Sequence, residues 1–162
     1  MKENPAKVFL RQYLAVSGRV QSLKMTIDRE LAKAENISFS LKEIKVLSSP
    51  AEHDPMAANV CSAVDATVIL QEEIDRANLI LRDILISINS LKDERQKELL
   101  TRRYVQGQNF PDIQAAMHYE KTQMYVIHGR ALLGINEWLS RRANNERANE
   151  HVRHVDGGRN TA

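Results

Sequence analysis

Cysteine, glycine, proline and aromatic residues are all scarce in this chain. Cys61 is the only cysteine, so a single chain can form neither a disulfide nor a cysteine-based metal cluster, and we expect Cys61 to fill apolar space. Six glycines and four prolines in 162 residues leave few helix breakers, and aromatic residues make up only 5%. With 27% charged residues, this composition predicts an all-α protein with much surface rather than a large enzyme core.

Long apolar runs are also missing. The first nine residues, MKENPAKVF, lack the apolar core of a signal peptide, and no run approaches the length of a membrane span. We therefore expect a cytoplasmic protein without membrane-spanning segments.

Patterns that signal catalysis or metal binding are absent as well. The scattered glycines form no phosphate-binding loop, and there is no GxSxG motif. Glu72, Glu73 and Asp75 cluster on a predicted helix, where a solvated surface is the ordinary interpretation. His151 and His154 have the spacing of two metal ligands, but no cysteine and no nearby carboxylate pair completes a site, so a solvated tail is the ordinary interpretation. We expect no enzyme, no metal site and no cofactor.

Positive charge is weak overall and concentrated in the C-terminal half. The formal net charge is +2. Residues 1–91 hold 11 Lys and Arg against 12 Asp and Glu, whereas residues 92–162 hold 12 against 9. This excess is too small for a general polyanion binder.

Helical periodicity dominates the N-terminal half. Residues 5–34 predict one amphipathic helix with Asn4 as its candidate N-cap. Residues 37–44 predict at most a short second helix. Residues 48–59, SSPAEHDPMAAN, predict a linker, because their prolines and serines oppose a continuous helix.

The clearest periodicity lies in residues 60–91. Apolar residues there alternate in steps of four and three, the pattern of a coiled-coil seam. Such a helix is roughly 45 Å long at 1.5 Å per residue. The seam residues are Ala63, Thr67, Leu70, Ile74, Ala77, Leu81, Ile84, Ile88 and Leu91.

Ile69, Ile80 and Leu85 widen this apolar stripe, so the helix is expected to meet more than one partner helix. The first predicted helix is the intrachain partner, and a homodimer or higher oligomer would cover the remaining apolar surface. The alternative is a monomer in which the two helices form an antiparallel hairpin that packs on the C-terminal helices.

Residues 91–139 predict three helices separated by two tight turns. Ser90 and Asp93 fit a capping box that opens the first of these helices, and Gly107 ends it. Asn109 is a good N-cap and Pro111 suits the first turn, so the second helix is predicted over 110–117. The third helix follows a turn at 118–119. Its predicted buried stripe comprises Met124, Ile127, Ala131, Leu132, Ile135 and Trp138.

A short helix, a tight turn and a longer helix with a polar outer face form the layout of a DNA-reading helix-turn-helix. The N-terminal end of the third helix is the part that enters the major groove. His128 on the outer face either donates to a phosphate or base, or is a partly packed surface histidine. The candidate DNA-binding residues of the third helix are Lys121, Thr122, Gln123, Tyr125, His128 and Arg130.

The stretch from Leu91 to Leu132 resembles region 4 of bacterial sigma factors, and Ile113 to Leu132 aligns with it without a gap. RRYVQG matches the end of that family's first helix. RRYVQGQNFPDIQAAMHY followed by QMYVIHGRAL is similar to the sigma-region-4-like proteins of phages and prophages, some of which are late transcription activators of the ArpU/RinA type.

This resemblance implies roles by position. It gives Lys121 and Thr122 the base-reading places, and Tyr125 and Arg130 places that contact the DNA backbone. Arg103 and Asn109 become phosphate neighbours. The chain departs from the family at Glu120, where Ser or Thr is usual, and at Val126, where a polar base-contacting residue is usual, so its target need not be a −35 promoter element.

Together these features predict a sequence-specific transcriptional regulator of phage or prophage type that binds double-stranded DNA. The small positive charge suits binding as a dimer or beside another protein, and RNA polymerase is a further candidate partner. The alternative is a helical protein-interaction module or a packaging module similar to a small terminase subunit. The predicted organisation is a helical coiled-coil or hairpin region at 1–90, a helix-turn-helix domain at 91–140 and a flexible tail at 141–162.

Overall fold

The computed structural model describes the backbone of residues 3–45 and 55–156, and the side chains of residues 3–35 and 64–149. Every regular element in these ranges is helical, which confirms the predicted all-α class. None of the described helices is both long and apolar enough to cross a membrane. The elements are α1 (Pro5–Lys45), α2 (Pro55–Asn89), α3 (Glu94–Leu100), a π-helical turn (Thr101–Val105), α4 (Phe110–Met117) and α5 (Lys121–Asp156).

Helix α1 begins at its predicted cap. The Asn4 side-chain oxygen accepts a hydrogen bond from the Ala6 N–H at 3.0 Å, and Pro5 occupies the first helical position, where its missing N–H costs nothing. The helix continues beyond the expected end near residue 34, because no glycine or proline interrupts it between Arg19 and Lys45. The short helix predicted at 37–44 is therefore part of α1.

The starts of α2 and α3 both differ from the prediction. Residues 55–59 of the predicted linker are helical, with Pro55 at the first helical position, whereas residues 48–54 lie outside the described residues. Ser90 does not cap the next helix. Asp93 does so instead, because its extended backbone lets the carboxylate accept the Arg95 N–H at 3.0 Å.

Packing divides the chain into two compact units, which do not follow the predicted boundary at residue 90. The composite unit comprises Met1–Leu14 and Arg82–Ala162, and the middle unit comprises Ala15–Leu81. Helices α1 and α2 each contribute residues to both units. The prediction assigned both helices to one separate region, because the apolar periodicity of each is continuous in sequence. In the structure, one part of each helix belongs to the core of the composite unit and another part to the core of the middle unit.

In the middle unit, α1 packs on the predicted seam of α2. Val20 of α1 is buried with Ile74 and Ala77 of α2, and Arg19 donates to the Glu73 carboxylate from its Nε at 2.8 Å. The ion pair is exposed and contributes little to stability, so the apolar contacts hold these segments together. Partly buried Val16, Leu23, Ile27 and Leu81 pack around this core.

The composite unit has the larger core. It joins the first turns of α1 and the last turns of α2 to the C-terminal helices. The Ala6 N–H also donates to the Asn136 side-chain oxygen of α5 at 3.0 Å, and the Phe9 ring stacks on Trp138 at 5.9 Å. The buried side chains are Ala6, Leu10, Ile84, Ile88, Leu91, Leu99, Leu100, Tyr104, Ile113, Met117, Met124, Ala131, Leu132 and Ile135.

Two glycines of α5 meet different surroundings. A Cβ atom added to Gly134 would lie 2.5 Å from Cδ2 of buried Leu91, whereas one added to Gly129 would meet no heavy atom within 4 Å. Gly134 therefore permits the close approach of α5 to the segment between α2 and α3.

The pair gives a test of this packing. Gly129→Ala should stabilise the protein by up to about 1 kcal/mol, because alanine is the better helix former. Gly134→Ala gains the same propensity but crowds Leu91, and we expect it to be less stable than Gly129→Ala by about 1–3 kcal/mol. Chemical denaturation of both variants measures the difference, and equal stabilities would contradict the close approach.

Helix α5 continues past Leu139, where the prediction had it fray into a flexible tail, and reaches Asp156. Arg142 accounts for part of this extension. Its guanidinium pairs with Asp83 of α2 at 2.6 Å and with Glu146 at 2.9 Å, and it lies 5.5 Å from the centre of the Trp138 ring. These contacts anchor α5 on the composite unit beyond the end of its apolar stripe. Apolar periodicity does not predict them, because they are made by a charged residue.

Candidate functional site

The turn between α4 and α5 forms as the sequence predicts. The Asn109 side chain accepts the Asp112 N–H at 2.9 Å, and Pro111 lies in the first turn of α4. His118 ends α4 in the left-handed conformation, with φ of 55°. This residue reverses the chain, so α5 begins at Lys121 after only a short turn.

The N-terminal half of α5 has two distinct faces. Met124, Ala131 and Ile135 are buried in the core of the composite unit, as predicted. The opposite face is open to solvent, because only the residues at helical spacing share the stripe that faces the core, and the residues between them point away from it. Five of the predicted site residues are exposed on this half: Lys121, Thr122, Gln123, Tyr125 and Arg130.

The exposed face also carries apolar side chains. Val126 is 47% exposed and Leu133 is 62% exposed. Tyr125 is half-exposed, and its ring packs on Phe110 of α4 at 5.3 Å between centroids. This contact fixes the side chain of Tyr125 against α4, whereas Val126 and Leu133 have no comparable cover.

A shallow groove of about 260 Å³ runs along this face of α5. Arg95 of α3 and Arg130 lie among its lining residues, together with Thr122 and Gln123. Arg95 forms two hydrogen bonds with the Asp93 carboxylate, at 3.1 and 3.0 Å, which hold the pKa of Asp93 below its usual value. Arg95 was not among the predicted site residues, because it lies on the first of the three predicted helices rather than on the helix assigned to DNA.

Arg103 and Asn109 lie beside α4 rather than on α5. Arg103 is partly buried, donates to the Gln108 carbonyl at 2.9 Å and lies 5.1 Å from the centre of the Phe110 ring. Asn109 is exposed, but its side-chain oxygen is engaged as the cap of α4. Arg103 retains donors for a ligand, while Asn109 can offer only its amide N–H groups.

The prediction that His128 lies on the outer face is wrong. This residue is only 7% exposed, and its Nε2 lies 3.1 Å from the Tyr104 hydroxyl in the core. Burial, with the charges of Lys7 and Arg103, lowers the pKa of His128 to about 4, so the ring is neutral near pH 7. Its position four residues after Met124 and three before Ala131 places it on the buried stripe, a spacing that was available in the sequence.

The start of α1 brings two further cations to the C-terminal helices. Lys7 and Arg11 lie with Arg103 around a cavity of about 190 Å³ whose wall includes Phe110 and His128. Sequence reasoning could not find this grouping, since Lys7 and Arg103 are almost a hundred residues apart and no local pattern links them. The other residues that line the cavity are Leu14, Tyr104 and Gly107.

Within the side chains that the structure describes, no three His, Cys, Asp or Glu residues lie together as a metal site would require. Comparison with protein-family models, with curated proteins and with solved structures gave no match.

Proposed function

We propose that this protein is a sequence-specific transcriptional regulator of phage or prophage type that reads the major groove of double-stranded DNA with the first turns of α5. The observation that carries the proposal is the division of α5 into a buried face and a polar, partly cationic exposed face. On this proposal α4 and α5 form the helix-turn-helix, and the resemblance of residues 91–132 to sigma region 4 assigns the same helix to DNA.

Electrostatics on and beside α5 favours a polyanionic partner. Lys121 is exposed at the helix N-terminus, where the backbone dipole also attracts negative charge. Arg130 borders the groove on the outer face, together with Arg95, whose charge Asp93 balances. Glu120 opposes this field, so the favourable charge lies along one side of the helix rather than around its whole N-terminal end.

A dimer would supply the phosphate contacts that a weakly charged single module lacks. The middle unit has apolar side chains in solvent that a second copy would cover, notably Val68 at 54%, Ile69 at 67% and Leu79 at 50% exposed. We therefore include self-association through this unit in the proposal. RNA polymerase would be contacted as an accessory partner, since no segment resembles a promoter-melting region.

A protein-interaction module is the second candidate. The exposed side chains of Val126 and Leu133 favour it, because both lie on the face that would read DNA, and neither can donate or accept a hydrogen bond. A partner helix would bury them, whereas DNA would offer Val126 only a thymine methyl group.

Charge reversal at Lys121 tests the DNA proposal. Lys121→Glu should weaken binding to a duplex selected from random DNA by about tenfold or more, because it removes a phosphate or base contact and adds repulsion. Fluorescence anisotropy over a salt series measures the affinity, and circular dichroism checks that helicity is unchanged. Lys24→Glu, on an exposed position of α1 in the middle unit, is the matched control.

Retained affinity in Lys121→Glu would move the DNA-binding surface away from α5. No affinity of the unaltered protein for any duplex at low salt would instead favour the interaction module. A palindromic consensus among the selected fragments would report a two-fold symmetric dimer on the DNA.

A further inference from the structure

The cavity between α1, the π-helical turn, α4 and α5 brings together three cations, of which only Arg11 forms an ion pair among the described side chains. Arg11 pairs with Glu3 at the exposed rim. Within the described side chains, neither Lys7 nor Arg103 forms an ion pair, and no carboxylate is among the residues that line the cavity. Like charges held together destabilise the folded state unless an anion joins them.

Three lining residues of the cavity, Tyr104, Phe110 and His128, contact one another. The Phe110 ring meets His128 edge-on at 5.2 Å, and the Tyr104 hydroxyl lies 3.1 Å from the His128 Nε2. His128 is neutral near pH 7, because burial and the charges of Lys7 and Arg103 lower its pKa to about 4. Among the described residues, the three cations are therefore the only charges that line the cavity, and they lie beside rings that pack on one another.

The side chains around the cavity offer donors suited to a phosphate. Arg103 already donates from Nη1 to the Gln108 carbonyl, and its place over the Phe110 ring orients the remaining N–H groups. Lys7 adds an ammonium group with three donors, and Arg11 adds a second guanidinium. The cavity of about 190 Å³ exceeds the roughly 30 Å³ of one water several-fold, so it has room for a tetrahedral anion.

We propose that this cavity binds a phosphate group, held by Lys7, Arg11 and Arg103 above the rings of Tyr104, Phe110 and His128. Two sources share this chemistry: a backbone phosphate of bound DNA, and a free phosphorylated small molecule. The first rests on the proposed function, and Phe110 links it to the DNA face through its contact with Tyr125. The second is independent of DNA.

The first arm of the test uses inorganic phosphate and no DNA. Thermal unfolding of the full chain is followed by Trp138 fluorescence in phosphate and in sodium chloride of equal ionic strength. Phosphate should raise the unfolding midpoint of the unaltered protein and of the Lys24→Met control in a concentration-dependent way. In Lys7→Met, phosphate affinity should fall at least about tenfold, because a charge-assisted hydrogen bond is lost.

The second arm measures duplex DNA binding as a function of salt. If a backbone phosphate occupies the cavity, Lys7→Met should reduce the slope of log affinity against log salt by about one, uniformly across sequences. Lys24→Met should leave the slope unchanged. Arg11→Met serves as the second variant if circular dichroism shows that Lys7→Met has lost helix.

The two arms separate the outcomes. If Lys7→Met weakens phosphate binding but leaves the salt slope of DNA binding unchanged, the site belongs to a small molecule. If Lys7→Met reduces the salt slope but leaves phosphate binding unchanged, the site belongs to a backbone phosphate of DNA. The proposal is overturned if Lys7→Met and Arg11→Met match Lys24→Met in both arms. Failure of the unaltered protein to bind any DNA would sink the proposed function alone, because the phosphate arm does not depend on it.

Discussion

Replacing Leu10 by alanine is expected to destabilise the composite unit by about 2–5 kcal/mol, although residue 10 lies far from the C-terminal helices in sequence. Leu10 is fully buried in the same core as Leu100, Ile113 and Ile135. Truncation removes apolar contacts and leaves a cavity that the surrounding helices fill only in part. The expected loss is a large share of the stability of a domain of this size.

Urea denaturation followed by Trp138 fluorescence measures this loss. Trp138 is the only tryptophan in the chain, and its ring stacks on Phe9 of α1, so its emission reports on the composite unit. Leu14→Ala is the matched control, since Leu14 is 48% exposed one turn further along the same helix. Its expected cost is under about 1 kcal/mol. Equal costs at both positions would mean that the first turns of α1 do not enter this core.

Acidification is expected to remove about 3 kcal/mol of stability through His128 alone. The pKa of this histidine is about 4 in the folded protein, because burial disfavours the charged ring, and close to 6.5 in the unfolded chain. As the pH falls below 6.5, the imidazole of His128 therefore binds a proton in the unfolded chain but stays neutral in the folded protein. Stability is complete above that value and declines until the folded pKa is reached, at about 1.4 kcal/mol per pH unit.

Urea denaturation at about pH 7.5 and at about pH 4 tests this expectation. His128→Gln should lower stability at neutral pH, because Tyr104 loses its partner, but it should flatten the decline between the two values. His118→Gln is the control, since His118 is exposed, and it should keep the full decline. A decline in His128→Gln as steep as in the unaltered protein would show that His128 is not the group responsible.

Local signals predicted α4 and the buried face of α5 closely. Asn109, Pro111 and the apolar spacing through Met117 fixed both ends of α4, because capping and periodicity act within a few residues. The buried residues of α5 followed from the same periodicity. The same rule also placed His128 inward, but its polar side chain led to the opposite assignment.

Long-range packing was beyond the reach of sequence patterns. The grouping of Lys7, Arg11 and Arg103 depends on how α1 docks, and a single sequence contains no signal for that docking. The Arg142–Asp83 ion pair likewise joins segments far apart in the chain and extends α5 past its apolar stripe. The sequence therefore predicted the candidate residues along α5 but not Lys7 and Arg11, which α1 brings to the C-terminal helices.

The hydrogen bond from the Ala6 N–H to Asn136 has a consequence for biosynthesis. The ribosome adds Ala6 about 130 residues before Asn136. At about 5–20 residues per second, synthesis of the intervening chain takes roughly 6–26 s. During that interval the nascent amino-terminal turn, with Leu10 on it, lacks its final neighbours. Until α5 emerges, the apolar side chain of Leu10 therefore lacks the C-terminal residues that bury it in the folded protein.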